Sequence, residues 1–493
     1  MIAAMFLRIL QLAGRLAVWT ALGLVVLGVG AWGYFLRAGP EPQLWHQATL
    51  DQEFTEARAA AVTSLADYRH LEDRLFDQLR RDVYAHVVPG NLAPFNRFAI
   101  GSLSDPGVWP VNWNRTYEIV PPEPVGGVLL LHGLTDSPYS LRSIGTDLGA
   151  RGWQVVGLRL PGHGTAPSGM LNFEVEDLEA AVRMAMLDLR ARLGRGKPIY
   201  IVGYSNGAAL AVSYSLSVLE GQSLPRPAGL VLISPAIAVS PFAVVGRLRT
   251  GISALPGFGR AAWQVIETEL DPYKYQSFSF HAAGETHRLT SQLARRLDKL
   301  AARGPITGFP PVLAFLSTVD ATIRAEAVVD VLLSRLAGPG NELVLFDVNR
   351  YAIVQSLLVA DPGSLTKRLL VMPRRPFALA VITNVNPRTR QVKEMRAEPE
   401  SGRQTEQLLD LEWPTTVFSL SHVALPFPPD DPLYGYAAPE DLHHVQLGRV
   451  EARGEIGVLG VPGWMLTRQR SNPFHPYVLT RIEEFVAPGP TTP

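Results

Sequence analysis

The sequence predicts an α/β fold, in which a mostly parallel central sheet is flanked by helices, with one transmembrane helix at the amino terminus. Two observations support this prediction. From Asn114 onward, short apolar runs alternate with helix-like segments, which is typical of a parallel sheet covered on both faces. Before that point, Leu16–Leu36 is a long apolar stretch without a charged residue.

The apolar stretch Leu16–Leu36 predicts a membrane anchor within residues 1–40. At 1.5 Å per helical residue, it is long enough to cross a hydrocarbon core of about 30 Å. Arg8 and Arg15 precede it, which favours a cytoplasmic amino terminus and an extracytoplasmic remainder, although Arg37 follows it closely. A cleaved signal peptide needs a shorter apolar region, and a buried soluble helix normally shows a polar stripe. These two alternatives are therefore less favoured than a single-pass anchor.

The composition excludes several classes of function. Lys and Arg together number 45, as do Asp and Glu, so no net charge of one sign attracts nucleic acid. The 493 residues include no cysteine, which excludes a disulfide framework, a thiol nucleophile and a cysteine-based metal site.

The rest of the chain divides into three parts. Residues 41–110 form an amphipathic helical segment, with apolar positions at helical spacing from Phe54 to Val87, which either packs on the following domain or lies on a bilayer. Residues 111–487 form the α/β domain, and residues 488–493 are a Pro/Thr tail. Two stretches interrupt the α/β alternation: residues 236–308, interpreted as a cap, and residues 349–415, interpreted as a late insertion.

Strands and helices of the α/β domain are predicted from apolar runs and helical periodicity. The predicted strands are Gly127–Leu131, Trp153–Leu160, Ile199–Gly203, Gly229–Ser234, Val312–Ser317 and Glu342–Phe346. The predicted helices are Leu141–Ala150, Glu174–Leu193, Gly207–Leu219 and Ala325–Leu336, with a further strand-like run at Phe377–Thr383 inside the insertion.

The run Gly203-Tyr204-Ser205-Asn206-Gly207 lies between a predicted strand and a predicted helix. A serine hydroxyl is a weak nucleophile, which needs a base, a group that holds the base, and donors for the oxyanion. In this strand-turn-helix context, G-x-S-x-G exposes its serine on a strained turn at the carboxyl edge of the sheet. A purely structural Gly-Ser turn is the alternative. The context favours Ser205 as a nucleophile.

Two upstream turns contain histidine. His132-Gly133-Leu134 ends the first predicted strand, and Pro161-Gly162-His163-Gly164 follows the second. His163 could serve as a base, or it could form hydrogen bonds within its glycine-rich turn. The structural interpretation is favoured, because the base normally follows the nucleophile and the acid in chain order.

The blocks LLLHGLTDSPYS, LRLPGHGTAP, GYSNG and STVDATI resemble, in order and spacing, those of monoglyceride-lipase-like and serine-aminopeptidase-like α/β-hydrolases. The similarity spans about Asn114 to Leu336. It implies an α/β-hydrolase fold, a serine mechanism and no cofactor or metal. In this fold, one oxyanion donor is the backbone N–H after the nucleophile, here that of Asn206, and the other comes from the loop after an earlier strand. Leu134 occupies that loop position.

The resemblance also implies an acid on the loop after Val312–Ser317, where Asp320 lies. Asp320 could instead cap the helix predicted near Ala325, and Asp347 is the reserve candidate for the acid. The family's histidine usually follows the last core strand closely, but here about seventy residues after that strand contain no histidine.

The first histidine after this gap is His422, at the end of a strand-like run. His475 is the alternative base, because it precedes the carboxyl-terminal helix, and the adjacent His443 and His444 are weaker candidates. Only one of these rings can meet both Ser205 and Asp320. We predict His422 as the base.

The expected activity is hydrolysis of a carboxylic ester through an acyl-enzyme on Ser205. The anchor favours a lipophilic, acylglycerol-like substrate, and the cap supplies aromatic side chains that could line an acyl pocket or form the cap's own core. A peptidase or amidase, or a thioesterase, would share the same catalytic groups. A catalytically inactive, membrane-tethered interaction protein is the alternative from a different class.

Overall fold

All six runs that the sequence predicts as strands lie in one ten-stranded sheet. The computed structural model describes residues 14–16, 18–28, 30, 33, 39–87, 93–237, 259–320, 322–351, 361–372, 374–439, 443–449, 453 and 467–487. The strands are β1 (Tyr117–Ile119), β2 (Gly126–Leu131), β3 (Trp153–Leu158), β4 (Ile199–Tyr204), β5 (Gly229–Ile233), β6 (Trp263–Val265), β7 (Phe278–Ser279), β8 (Val312–Ser317), β9 (Glu342–Phe346), β10 (Ala378–Asn384), β11 (Gln391–Ala397) and β12 (Gln404–Glu412).

The order of the sheet is β1-β3-β2-β4-β5-β8-β9-β10-β11-β12, while β6 and β7 pair separately. Neighbouring strands from β3 to β10 are parallel, and the strands at the two edges are antiparallel to their neighbours. The α/β class of the prediction is therefore confirmed.

Helices cover both faces of the sheet. They are α1 (Leu65–Asp82), α2 (Arg142–Ala150), α3 (Val175–Leu193), α4 (Asn206–Leu219), α5 (Phe280–Ala301), α6 (Ser364–Leu370) and α7 (His475–Val486). Shorter helical turns occur at Leu44–Gln47, Glu56–Ala61, Tyr84–His86, Ala93–Phe95, Pro106–Val108, Pro138–Leu141, Pro167–Leu171, Gly259–Ala262, Ala325–Ala327, Val328–Leu332 and Leu333–Arg335. The helix predicted at Ala325–Leu336 is consequently a succession of short α, π and 3₁₀ turns, not one α-helix.

Alternate residues of the parallel strands enter two different cores, as the period of two in a strand requires. Leu129 and Ile201 pack with side chains of α3, α4 and α5 on one face. Val128 and Val202 pack with side chains of α2 and α7 on the other. Burial on both faces explains why these strands read as continuous apolar runs in the sequence.

The amphipathic segment before the sheet packs on the α/β domain. Helix α1 begins after Ser64, whose side chain accepts a hydrogen bond from the Asp67 backbone in a capping box. Its buried face includes Glu72, which forms a 2.8 Å ion pair with the fully buried Arg159. Arg159 also pairs with Glu53 at 2.8 Å, so both ends of the segment are fixed to the turn after β3.

The late insertion predicted at residues 349–415 is a continuation of the sheet. Strand β10 is buried along its whole length and pairs in parallel with β9, and β11 and β12 add an antiparallel hairpin beyond it. The prediction of a segment apart from the core was wrong for these strands. A fully buried strand next to β9 completes the core instead of covering it.

The described part of the predicted cap, residues 259–308, belongs mostly to the body of the domain. Helix α5 packs against α3 and α4 through Leu289, Leu293 and Leu297, which are buried. Tyr273 stacks on Tyr139 with ring centroids 4.3 Å apart. Residues 238–258, including the apolar run 241–245, lie outside the described residues.

Only part of the predicted anchor Leu16–Leu36 lies within the described residues. Residues 18–28 are helical there, and their large apolar side chains are exposed. Among the residues that the structure describes, no helix combines the length and the apolarity needed to span a membrane. The tail at 488–493 lies outside the described residues.

Candidate active site

Ser205 lies on a strained turn between β4 and α4. Its φ of 53° and ψ of −113° are unusual for a residue with a side chain. The surrounding backbone holds this conformation: the Ser205 N–H donates to the Ile233 carbonyl at 2.9 Å, and the Ser205 carbonyl accepts from the Ala236 N–H at 3.1 Å. Ser205 is half-buried, so its side chain has access to the surface of the site.

Gly207 allows the nucleophile turn to approach β2. A Cβ atom at this position would lie 2.0 Å from the Leu131 carbonyl oxygen. The close approach brings the start of α4, with the Asn206 N–H, next to the loop that follows β2. The glycine at the end of the G-x-S-x-G run is therefore required by packing.

The pairing of the parallel strands aligns their carboxyl ends along one edge. Leu131 of β2 pairs with Gly203 of β4, and Tyr204 of β4 pairs with Ile233 of β5. Ile233 in turn pairs with Phe315 of β8. The loops that carry Leu134, Ser205 and Asp320 therefore leave the sheet at the same edge.

The loop after β2 is fixed from two sides. Its Thr135 carbonyl accepts a 2.9 Å hydrogen bond from the Tyr275 N–H, and Asp136 pairs with Lys274 at 2.9 Å. The loop thereby holds the backbone of Leu134, the predicted oxyanion donor, beside the nucleophile turn. Neither Lys274 nor Tyr275 was singled out from the sequence for this contact, because it depends on the tertiary fold.

The two upstream histidines are buried and hold turns together. Nε2 of His132 accepts a 3.0 Å hydrogen bond from the Leu160 N–H, and its Nδ1 lies 2.9 Å from the Gly133 carbonyl oxygen. Nδ1 of His163 lies 2.8 Å from the Pro161 carbonyl oxygen, within its own turn. Burial lowers the pKa of His163 to about 4, so this ring is neutral at pH 7. Its contacts agree with the structural interpretation.

Asp320 is held on the loop after β8. Its Oδ1 accepts 2.8 Å hydrogen bonds from the backbone N–H groups of Thr322 and Ile323. Its Oδ2 is buried and has no hydrogen-bond partner within the described part of the chain. Burial raises the pKa of Asp320 to about 6, against the opposing effects of these hydrogen bonds and of Arg468.

His422 lies beside Asp320: its Nδ1 is 3.5 Å from the Asp320 Oδ1. The two residues that precede it by a few positions explain its placement, because the Asn349 N–H donates to the Phe418 carbonyl at 2.8 Å and the Asn349 side chain donates to the Val417 carbonyl at 3.0 Å. The chain that leaves β9 therefore meets the chain that returns after β12. The three added strands separate His422 from β9 in sequence but not in space.

Arg468 is a site residue that the sequence analysis missed. Its Nη2 lies 2.9 Å from Nδ1 of His422 and 3.2 Å from Oγ1 of Thr322. Burial, followed by the charges of Arg468 and Lys274, holds the pKa of His422 well below its ordinary value of 6.5. No signal in the local sequence distinguishes Arg468, because its contact depends on a long connection between two loops.

The structure places the other candidates away from Asp320. His475 is buried at the start of α7, and burial lowers its pKa to about 4. Asp347 forms an ion pair with Arg350 and accepts a 2.8 Å hydrogen bond from Thr383. His444 stacks on Trp109 with ring centroids 3.8 Å apart. Of these histidines, His422 is the one that the structure brings to the predicted acid.

A cavity of about 140 Å³ adjoins His422. Val423 lines it, next in sequence to His422, and so does Arg468, which contacts the imidazole ring. Its remaining lining residues are Asp136, Lys274, Gln276, Phe427, Tyr434 and Arg470. Within the described ranges, no group of three or more His, Asp or Glu side chains is arranged to hold a metal ion.

A nucleophile turn of this kind at the carboxyl edge of a parallel sheet defines the class of the α/β-hydrolases. Residues 122–346 match the sequence model of the family described as serine aminopeptidase, S33. The chain is also 25% identical, over 219 residues, to a thermostable monoacylglycerol lipase from Bacillus sp. (strain H-257); the match covers 44% of this chain and 79% of that protein.

Two solved structures are similar to the chain. A soluble variant of monoglyceride lipase from Saccharomyces cerevisiae is 15% identical, with a TM-score of 0.36, over 47% of this chain and 82% of that one. The monoacylglycerol lipase of Paleococcus ferrophilus is 19% identical, with a TM-score of 0.35, over 47% and 88%.

The chain is an α/β-hydrolase that resembles the monoglyceride lipases. It is an enzyme, a serine ester hydrolase.

Proposed function

We propose that the chain hydrolyses lipophilic, acylglycerol-like carboxylic esters through an acyl-enzyme on Ser205. One observation carries the proposal: the His422 imidazole lies 3.5 Å from a buried carboxylate, Asp320, and the loop of that carboxylate leaves the same sheet edge as Ser205. The similarity to a monoacylglycerol lipase supports the substrate class.

In the proposed reaction, Oγ of Ser205 attacks the ester carbonyl carbon while its proton passes to Nε2 of His422. The backbone N–H groups of Leu134 and Asn206 stabilise the oxyanion. Nε2 then protonates the departing alcohol. A water molecule, deprotonated by the same nitrogen, attacks the acyl-enzyme, and the carboxylic acid is released with the serine proton restored.

This chemistry requires one tautomer of His422. To accept a proton at Nε2, the neutral ring must carry its own proton on Nδ1, directed at Asp320. Arg468 is only a donor, so its 2.9 Å contact with Nδ1 requires a lone pair on that nitrogen instead. The active arrangement therefore needs the Arg468 guanidinium to move away from Nδ1, after which the buried Oδ2 or Oδ1 of Asp320 can accept the Nδ1 proton.

The cavity beside His422 argues against an amine-bearing substrate. Three of its lining side chains, those of Lys274, Arg468 and Arg470, are cationic, and its one carboxylate, Asp136, is already paired with Lys274. An ammonium group would be repelled there. Among the described aromatic residues of the cap, Trp263, Tyr273 and Tyr275 are buried in protein contacts, so they serve as core and do not line an acyl pocket.

We extend the proposal to a membrane-tethered enzyme, with the helix in Leu16–Leu36 as the single-pass anchor and the α/β domain outside the cytoplasm. The exposed apolar side chains of residues 18–28 support this, because such a surface is stable when lipid covers it. Fractionation of cells tests the anchor: the full chain should sediment with membranes after a carbonate wash, and a chain lacking residues 1–38 should not. Equal release of both chains would contradict the anchor.

Substrate panels test the chemistry. We expect 4-nitrophenyl esters to be cleaved, with the rate rising with acyl length up to a limit, and aminoacyl 4-nitroanilides to be cleaved at least about 100-fold more slowly. A reversed preference would identify an amidase, and preferential cleavage of acyl thioesters a thioesterase. His422→Ala and His475→Ala then test the base: activity retained by the first and lost by the second would contradict the assignment.

A further inference from the structure

We propose that the ester substrate carries an anionic group, a phosphate or a carboxylate, which binds in the cationic cavity lined by Lys274, Arg468 and Arg470. This inference rests on the proposed function and specifies its substrate. It names a binding site for the part of the substrate that does not react, with Arg470 and Arg468 as the specificity-determining residues.

The cavity has an excess of positive charge that its own carboxylates do not balance. Asp136 is paired with Lys274 at 2.9 Å, and Asp271 lies 4.0 Å from Arg470 while also accepting a 2.6 Å hydrogen bond from the Tyr434 hydroxyl. Arg468 has no carboxylate among its printed neighbours other than the catalytic loop of Asp320; its two closest contacts are with His422 and Thr322. Three cations therefore face two carboxylates, so one negative charge would complete the set.

The chambered position of these cations matters for catalysis. During acylation His422 becomes an imidazolium, and Arg468 and Lys274 both disfavour that cation. With a single nearby carboxylate, Asp320, at 3.5 Å, the positive charge of the transition state is poorly compensated. An anion bound in the cavity would offset the two cations at the moment at which the imidazolium forms.

The same anion would act on Arg468 directly. A guanidinium binds phosphate or carboxylate in a bidentate manner, which is stronger than its hydrogen bond to a neutral imidazole. Binding of the substrate would therefore draw Arg468 off Nδ1 of His422 and leave that nitrogen to donate to Asp320. In this way, the enzyme would adopt its active tautomer when a substrate of the correct charge is bound.

Matched pairs of esters test the inference with the full-length protein. In the first pair, 4-nitrophenyl butyrate is compared with the 4-nitrophenyl monoester of glutaric acid, which adds a carboxylate on the acyl side. In the second pair, 1-lauroylglycerol is compared with 1-lauroylglycerol 3-phosphate, which adds the anion on the alcohol side. We expect a preference in kcat/KM of about tenfold or more for the anionic member of one pair, and the pair that shows it identifies the side.

The variant Arg470→Gln should reduce this preference about tenfold, which corresponds to about 1.4 kcal/mol, while the rate with the neutral ester changes little. Arg470→Lys should restore part of it. Arg388→Gln, at an exposed position between β10 and β11, is the matched control and should leave the preference unchanged. Inorganic phosphate should inhibit the wild type competitively and inhibit Arg470→Gln more weakly.

The failures of the two proposals are distinguishable. Hydrolysis of neutral esters, with equal or lower rates for both anionic members and no inhibition by phosphate, would overturn the anionic substrate and leave the esterase intact. Loss of both rates together in Arg470→Gln would also overturn it, since the residue would then be structural. An absence of any ester hydrolysis, with no labelling of Ser205 by a fluorophosphonate, would overturn both.

Discussion

Arg468 donates a 2.9 Å hydrogen bond to Nδ1 of His422, the ring nitrogen that lies 3.5 Å from Asp320. The imidazole cannot accept from Arg468 and donate to Asp320 through the same nitrogen, so these two contacts exclude one another. The described state therefore has the proton of His422 on Nε2, where it would oppose the removal of the Ser205 proton.

The tautomer of His422 should consequently depend on Arg468. In the resting protein we expect the Nε2–H form, and in Arg468→Met, which keeps the length of the side chain but removes its donors, the Nδ1–H form. Long-range ¹H–¹⁵N correlation spectra of protein labelled at histidine distinguish the two forms. The Arg388→Gln control should retain the wild-type spectrum; an unchanged His422 signal in Arg468→Met would contradict the geometry.

The pH dependence of kcat/KM should report Asp320. The groups that face His422 are Asp320, Arg468 and Lys274, and the pKa of His422 lies well below 6.5. Activity should therefore rise with pH through about 6, as the Asp320 carboxyl ionises. Arg468 lowers the pKa values of both residues, so Arg468→Met should move this acid limb to higher pH. A shift to lower pH would contradict the electrostatic account.

Asp320 should cost stability when it is ionised. Its pKa is raised from 3.8 to about 6, so the cost is present in full above pH 6 and disappears below pH 4. Asp320→Asn should therefore raise the free energy of unfolding at pH 8 by up to roughly 3 kcal/mol, at about 1.4 kcal/mol per pKa unit, and abolish most activity. Urea unfolding at pH 8 and pH 4.5 measures this. A destabilised variant at pH 8 would show that the carboxylate is structural.

The tight turn at Ser205 depends on Gly207. In Gly207→Ala the new methyl group would lie 2.0 Å from the Leu131 carbonyl oxygen, so we expect a loss of about 3 kcal/mol or more. Gly284 is the matched control, because it lies within α5 with open space around it. Gly284→Ala should stabilise the protein by about 0.5–1 kcal/mol. Similar urea midpoints for the two variants would contradict the packing argument.

The sequence predicts the buried parallel strands well, because strands covered on both faces read as unbroken apolar runs. Strands β8 and β9 agree with the predicted bounds at both ends. The hairpin of β11 and β12 was not predicted, since β12 is mostly exposed and polar and shows little apolar periodicity. Its place in the sheet depends on pairing with β10, which is a non-local contact.

For the site, local pattern and resemblance together indicated Ser205 and Asp320, while the choice among the histidines needed the tertiary structure. His422 reaches Asp320 because Asn349 holds the Val417–Phe418 backbone beside the end of β9. Arg468 could not be predicted, because nothing in its immediate sequence indicates a contact with a ring 46 residues earlier.

Labelling with a fluorophosphonate probe tests the central claim, a nucleophilic Ser205, most directly. The wild-type protein should be labelled on Ser205, with the adduct located by mass spectrometry of the peptide, and Ser205→Ala should not be labelled although it remains folded. Labelling of the well-folded wild type at another residue, or at none, would contradict the account.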